Sequence, residues 1–92
     1  MRKEYRYSYT ICNQMDEDLF KKQCEAIENH VTGLTKKNFL EDVDGSAYQY
    51  YQHANGEILV CNSSIVGALY VDSDFDLLPY FQHKENGQKV AV

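Results

Sequence analysis

The sequence predicts an α+β domain, with one helix packed on a four-stranded, mostly antiparallel sheet in the order β-α-β-β-β. Three observations carry this expectation. Residues 4–12 alternate strictly, residues 16–31 repeat their apolar positions every three or four, and three β-prone runs after residue 46 are separated by turn signals.

In the first run Tyr5, Tyr7, Tyr9 and Ile11 share one side of an extended chain, and Arg6, Ser8, Thr10 and Cys12 share the other. This is the period of a half-buried strand. Asn13 or Asp16 then supplies a side-chain oxygen for the orphan N–H groups of a helix start, and Asp16, Glu17 and Asp18 complement the positive end of the helix dipole. Phe20, Cys24, Ile27 and Val31, flanked by Leu19 and Met15, mark the packed stripe of a helix reaching His30 or Val31. Gly33 is placed to end it in the left-handed conformation.

Periodicity lapses from Leu34 to Ser46, which reads as a loop with a short extended piece near Phe39 and Leu40. Ala47 to His53 and Glu57 to Asn62 then flank Ala54-Asn55-Gly56, and Asn-Gly favours a tight hairpin turn. Asn62-Ser63-Ser64 leads into Ile65 to Val71, completing a meander. Asn55-Gly56 as the first tip sets Tyr51 opposite Val60 and Tyr50 opposite Cys61. Ser63-Ser64 as the second sets Ile58 opposite Leu69 and Leu59 opposite Ala68. Phe75 to Phe81, broken by Pro79, reads as a turn of helix or an irregular apolar plug. Residues 1–83 thus form the domain and 84–92 a loosely ordered tail.

This pairing puts Tyr51, His53, Ile58, Val60, Leu69 and Val71 on one face, and Tyr48, Tyr50, Leu59, Cys61, Val66, Ala68 and Tyr70 on the other. Both faces are apolar, whereas one helix covers a single face. The tyrosine-bearing face therefore needs the loop and C-terminal segment, a second copy of the chain, or a partner.

Composition narrows the partner. The chain has 92 residues, a net charge of −5 and eight tyrosines. Residues 1–37 hold seven bases against six acids, whereas residues 38–83 hold seven acids and no Lys or Arg. An acidic chain repels the phosphate backbone, which excludes nucleic acid as the expected partner. No apolar run approaches the roughly twenty residues a membrane helix needs, and the N-terminus lacks the apolar centre of a signal peptide. A cytoplasmic protein is expected. Cys12, Cys24 and Cys61 are odd in number and match no disulfide or zinc spacing, so reduced, buried thiols are expected.

Catalytic and metal patterns fail on register. Setting Asp44-Gly45 at the fifth and sixth positions of a calcium loop puts Leu40 first and Tyr51 last, and the Asp72-Asp74-Asp76 cluster has no glycine at its sixth position. His30, His53 and His83 have no ligand spacing, no glycine-rich phosphate loop exists, and nothing in the sequence orients a Cys61–His53 pair. The expectation is no enzyme, no cofactor and no metal. It is instead a small acidic interaction protein, inhibitor-like or immunity-like, which docks a basic protein through Asp42, Asp44, Tyr48, Tyr50, Tyr70, Asp72, Asp74 and Asp76. The alternatives are a homodimer that buries the tyrosine face, and a small-ligand module using His53, Tyr51 or Cys61 for polar contacts.

Overall fold

A computed structural model describes residues 4–80. The helix α1 runs Glu17–His30, between strand β1 (Tyr7–Cys12) and strand β2 (Thr35–Glu41). Strands β3 (Ala47–His53), β4 (Gly56–Ser63) and β5 (Ala68–Ser73) follow, and a 3-10 turn at Leu78–Tyr80 closes the described chain. The α+β class holds, with five strands in place of four. All neighbours are antiparallel in the spatial order β1-β5-β4-β3-β2, so the meander is central and the two strands flanking the helix in sequence are the sheet edges.

Strand β2 lies where a loop is expected. Every one of its residues is exposed, so no buried stripe imposes an alternating pattern on Thr-Lys-Lys-Asn-Phe-Leu-Glu. Its conformation comes from backbone pairing with β3, interrupted by a bulge between Lys36 and Phe39. The buried Gln49 side chain fills that bulge, its Nε2 donating to the carbonyls of Lys37 and Asn38, both at 3.2 Å. Lysines and a bulge on an edge strand also discourage unspecific strand-to-strand pairing.

Asp16 caps α1, its Oδ1 accepting the Leu19 N–H at 3.0 Å, while its own N–H donates to Asn62 Oδ1 at 3.1 Å and ties the helix start to β4. The stripe Phe20, Cys24, Ile27 and Val31 is buried as expected, against Tyr51, Ile58, Val60, Leu69 and Val71 of the sheet. Burying side chains of this size stabilises by about 1.5–3 kcal/mol each. The helix ends at Val31 in an extended conformation; Gly33, at φ +77°, sits in the turn that follows.

The strand registers differ from expectation by even steps. Tyr51 faces Ile58 and Tyr50 faces Leu59, because the hairpin tip is Ala54-Asn55 and Gly56 already begins β4. Ile58 faces Ser73 and Leu59 faces Asp72, because residues 64–67 form a four-residue loop. Slips of two and four residues preserve which side each residue takes. Val66 is the exception: it lies in that loop and is exposed. The segment after β5 behaves as the expected plug, with Leu77 fully buried against the helix-side core. Residues 81–92, including the expected tail 84–92, lie outside the described residues.

Candidate functional site

The sheet face turned away from α1 carries the expected tyrosines. Its register gives it ordered rows. Leu40, Tyr48, Cys61, Tyr70 and Thr10 line up across all five strands, and Tyr50, Leu59, Asp72 and Ser8 line up across β3, β4, β5 and β1. The stripe of α1 packs on the other face, against Tyr51, Ile58, Val60, Leu69 and Val71. Leu59 and Cys61 are nonetheless buried while Tyr48, Tyr50 and Tyr70 are half-buried, so the tyrosine side chains roof the β4 residues between them. Leu40, at 50% exposed, extends the apolar surface to the β2 edge.

The polar atoms sit at the ends of the rows. The Tyr48 hydroxyl donates to Asp42 Oδ2 at 3.3 Å. Burial foremost, then contact with Cys61 and the negative Asp72, pushes the Tyr70 phenol well above its ordinary range, so it stays a neutral hydroxyl. At the other end the Tyr5 hydroxyl donates to Glu57 Oε1 at 2.9 Å. Strict alternation predicts Tyr5 on the side of Tyr7 and Tyr9. The chain bends at Arg6, and this carries Tyr5 to the open face beside Glu57, while Tyr9 packs on the helix side.

The expected site residues are therefore divided. Tyr48, Tyr50, Tyr70 and Asp72 come together on the open face, and Asp42 joins them through Tyr48. Asp44 sits in the β2–β3 turn, accepting from the Ser46 N–H at 2.9 Å and the Ser64 hydroxyl at 2.5 Å; these bonds lower its carboxyl below the usual range. Asp74 braces the β3–β4 hairpin, its Oδ2 accepting the Glu57 N–H at 2.8 Å and its own N–H donating to the Glu57 carbonyl at 3.0 Å. Asp76 belongs to the helix side, where its Oδ1 accepts from the Tyr9 hydroxyl at 2.8 Å and from the Leu78 N–H at 3.0 Å. Sequence reasoning places Leu59 on this face but misses Tyr5, Leu40 and Glu57 there. Leu40 is legible as half of the Phe39-Leu40 pair, since consecutive large apolar residues on an extended chain must face opposite sides.

The groups considered for catalysis or ligand contact are separated. His53 and Tyr51 face the helix side, with His53 stacked on Phe75 at 4.7 Å between ring centroids, while Cys61 is buried on the open face. The three cysteines are free thiols, and burial pushes Cys24 up to about 11, far from the thiolate range of a nucleophile. Among the described residues, no three of His, Cys, Asp and Glu converge as a metal site, and no helix is long and apolar enough to cross a membrane. Comparison with known proteins finds no family model, no curated protein and no solved structure that matches this chain.

Proposed function

We propose that the protein is a non-enzymatic interaction domain whose open sheet face captures a basic protein surface, in the manner of an inhibitor or immunity protein. One observation carries the reading. Tyr48, Tyr50 and Tyr70 lie half-buried over Leu59 and Cys61 with Leu40 exposed beside them, and strands β3 to β5 beneath contain no Lys or Arg. Tyrosines supply contact area with few rotatable bonds, and their hydroxyls reach a partner's polar groups. Asp42 and Glu57 beside the rows, and Asp72 within one, give the face a negative sign, which speeds encounter with a positive surface and disfavours pairing with an identical acidic face.

The test is affinity capture from the source cells, followed by binding measurements with the identified partner. Wild-type protein should retain a basic protein whose affinity falls as salt rises. Asp42→Lys combined with Asp72→Asn should weaken binding at least tenfold, whereas Glu25→Lys, on the exposed side of α1, should leave it unchanged. Undiminished binding by the double variant, or an equal loss in Glu25→Lys, removes the open face from recognition. Light scattering gives 10.7 kDa for the monomer this reading requires, and twice that for a homodimer.

A further inference from the structure

Among the described residues, strand β2 has β3 on one side and no strand on the other. The hairpins beside it fix which of its backbone groups face outward. Ala54-Asn55 is a two-residue turn, so His53 directs its N–H and C=O to β4, and by alternation so do Tyr51, Gln49 and Ala47. Their partners on β2 are Lys36, Phe39 and Glu41, which therefore turn their own N–H and C=O groups away from the sheet. The Asp42 N–H, donating to the Ser46 carbonyl at 2.8 Å, sets the same phase from the other end of β3. The side chains of these three residues share the helix side: Lys36 Nζ lies 3.2 Å from Glu28 Oε2, and the Phe39 ring centroid 6.3 Å from that of Phe20. Because the bulge lets Lys37 and Asn38 together face Tyr50, the outer edge presents a cation, a ring and an anion at equal steps, all of them exposed.

We propose that two copies of the chain pair antiparallel through the outer edges of β2, about a twofold axis at Phe39. Reversing Lys36-Phe39-Glu41 puts each Lys36 opposite the second copy's Glu41 and brings the two Phe39 rings together at the axis. The same register joins the outward N–H and C=O groups of all three residues. Charge argues for a second copy over another polypeptide, because this edge carries the complement of its own charges, whereas a uniformly basic or acidic strand would meet a like charge at one end. An ammonium has three donors, so Lys36 serves Glu28 and the second copy's Glu41 together. The lysines and the bulge, which oppose indiscriminate pairing, select this register: a slip of one step sets Glu41 opposite Phe39. A contact limited to one strand edge is smaller than a stable dimer requires, so the 10.7 kDa chain is the species in dilute solution and pairing grows with concentration. The inference goes beyond the proposed function and does not rest on it. The axis crosses the sheet, so both helices lie on one side and both open faces stay uncovered on the other.

Sedimentation equilibrium at low salt, from about 20 µM to about 1 mM protein, tests it. The apparent mass should rise from 10.7 kDa toward twice that value, and added salt should weaken the association. Lys36→Glu and Glu41→Lys each set like charges against one another across the axis, and each variant alone should associate at least tenfold more weakly. An equimolar mixture of the two restores both ion pairs and should recover the wild-type association. Both positions are exposed, and unchanged circular dichroism of each variant establishes the fold. Amide NMR of the wild type should place the concentration-dependent shifts on Thr35 to Glu41. The proposal is overturned if the mass stays at 10.7 kDa throughout, if either variant associates as tightly as the wild type, if the mixture associates no better than its components, or if the shifts fall on Tyr48, Tyr50 and Tyr70. A constant monomer mass would leave the proposed function standing, whereas shifts on the tyrosines would favour the homodimer that opposes it.

Discussion

Gln23 sits on the buried stripe of α1 with no exposed surface, and neither its Oε1 nor its Nε2 has a hydrogen-bond partner among the described residues. A buried amide without compensation costs about 1–3 kcal/mol in protein mutational data. Gln23→Met should recover that amount. Methionine matches glutamine in length and flexibility and nearly in helix propensity, so the exchange isolates the polar contribution. In a domain of this size each kcal/mol moves the midpoint of thermal unfolding by roughly 4–8 °C, so a rise of about 4–24 °C is expected. Urea unfolding followed by circular dichroism gives the free energy directly, and the midpoint should rise with the slope unchanged. A second exchange fixes the sign: Gln23→Glu places a carboxyl in the same surroundings and should destabilise. If Gln23→Met is neutral or destabilising, the amide is satisfied and the reasoning fails.

Gly56 takes φ +141°, and an added Cβ would lie 2.4 Å from Asp74 Cβ, so Gly56→Ala must displace the residue that braces the hairpin. A loss of about 2–4 kcal/mol is expected from overpacking and backbone strain together. Gly67→Ala, at φ +71° with nothing within 4 Å, should lose only about 1 kcal/mol for its left-handed backbone, and equal losses in urea unfolding would contradict the steric account. Alkaline pH supplies a further check. Burial, with the Asp76 carboxylate accepting its proton, pushes the Tyr9 phenol up to about 12, and burial raises Tyr5, Tyr51 and Tyr70 further still. A raised folded pKa contributes stability that is fully present below the ordinary value of 10.0 and lost as pH rises through the folded value. The melting temperature should therefore fall between pH 10 and 12, with phenolate absorbance appearing alongside unfolding. Full ionisation of these tyrosines near pH 10 in folded protein would refute their burial.

The helix and the meander were legible because a buried stripe writes its period into the sequence. Phe20, Cys24, Ile27 and Val31 had to recur on one side of α1, and Tyr51, Ile58, Val60, Leu69 and Val71 on one side of the sheet. Exact pairing was less legible. It depends on loop lengths, and Ala54-Asn55 and residues 64–67 each placed the turn a little off the residues that signalled it. The two faces survived because the slips were even. β2 was illegible for the opposite reason: an exposed edge strand buries nothing, so its residues carry no period and its pairing partner supplies the structure. Tyr5 was misplaced because alternation assumes a straight chain, and the bend at Arg6 breaks it.

The acidic stretch was legible as a charge but not as a division of labour. Asp44, Asp74 and Asp76 each accept backbone N–H bonds in turns, from Ser46, Glu57 and Leu78 respectively. Their first role is to shape the loops, which any folded use of the sheet would require. Reversing Asp74 would test the hairpin, since its carboxylate holds the Glu57 N–H and its side chain occupies the space a Cβ at position 56 would need. Asp42 and Asp72 stand differently: the Asp42 carboxylate receives the Tyr48 hydroxyl, and Asp72 lies within the sheet between Leu59 and Ser8. Both flank the tyrosine rows, so changing them alters the potential over the face while the turn-shaping bonds of Asp44, Asp74 and Asp76 stay intact. Recognition and folding can be separated in this acidic stretch only at such positions. A loss of binding in Asp42→Lys with Asp72→Asn, with Asp74 left in place, would therefore be a statement about the partner's charge.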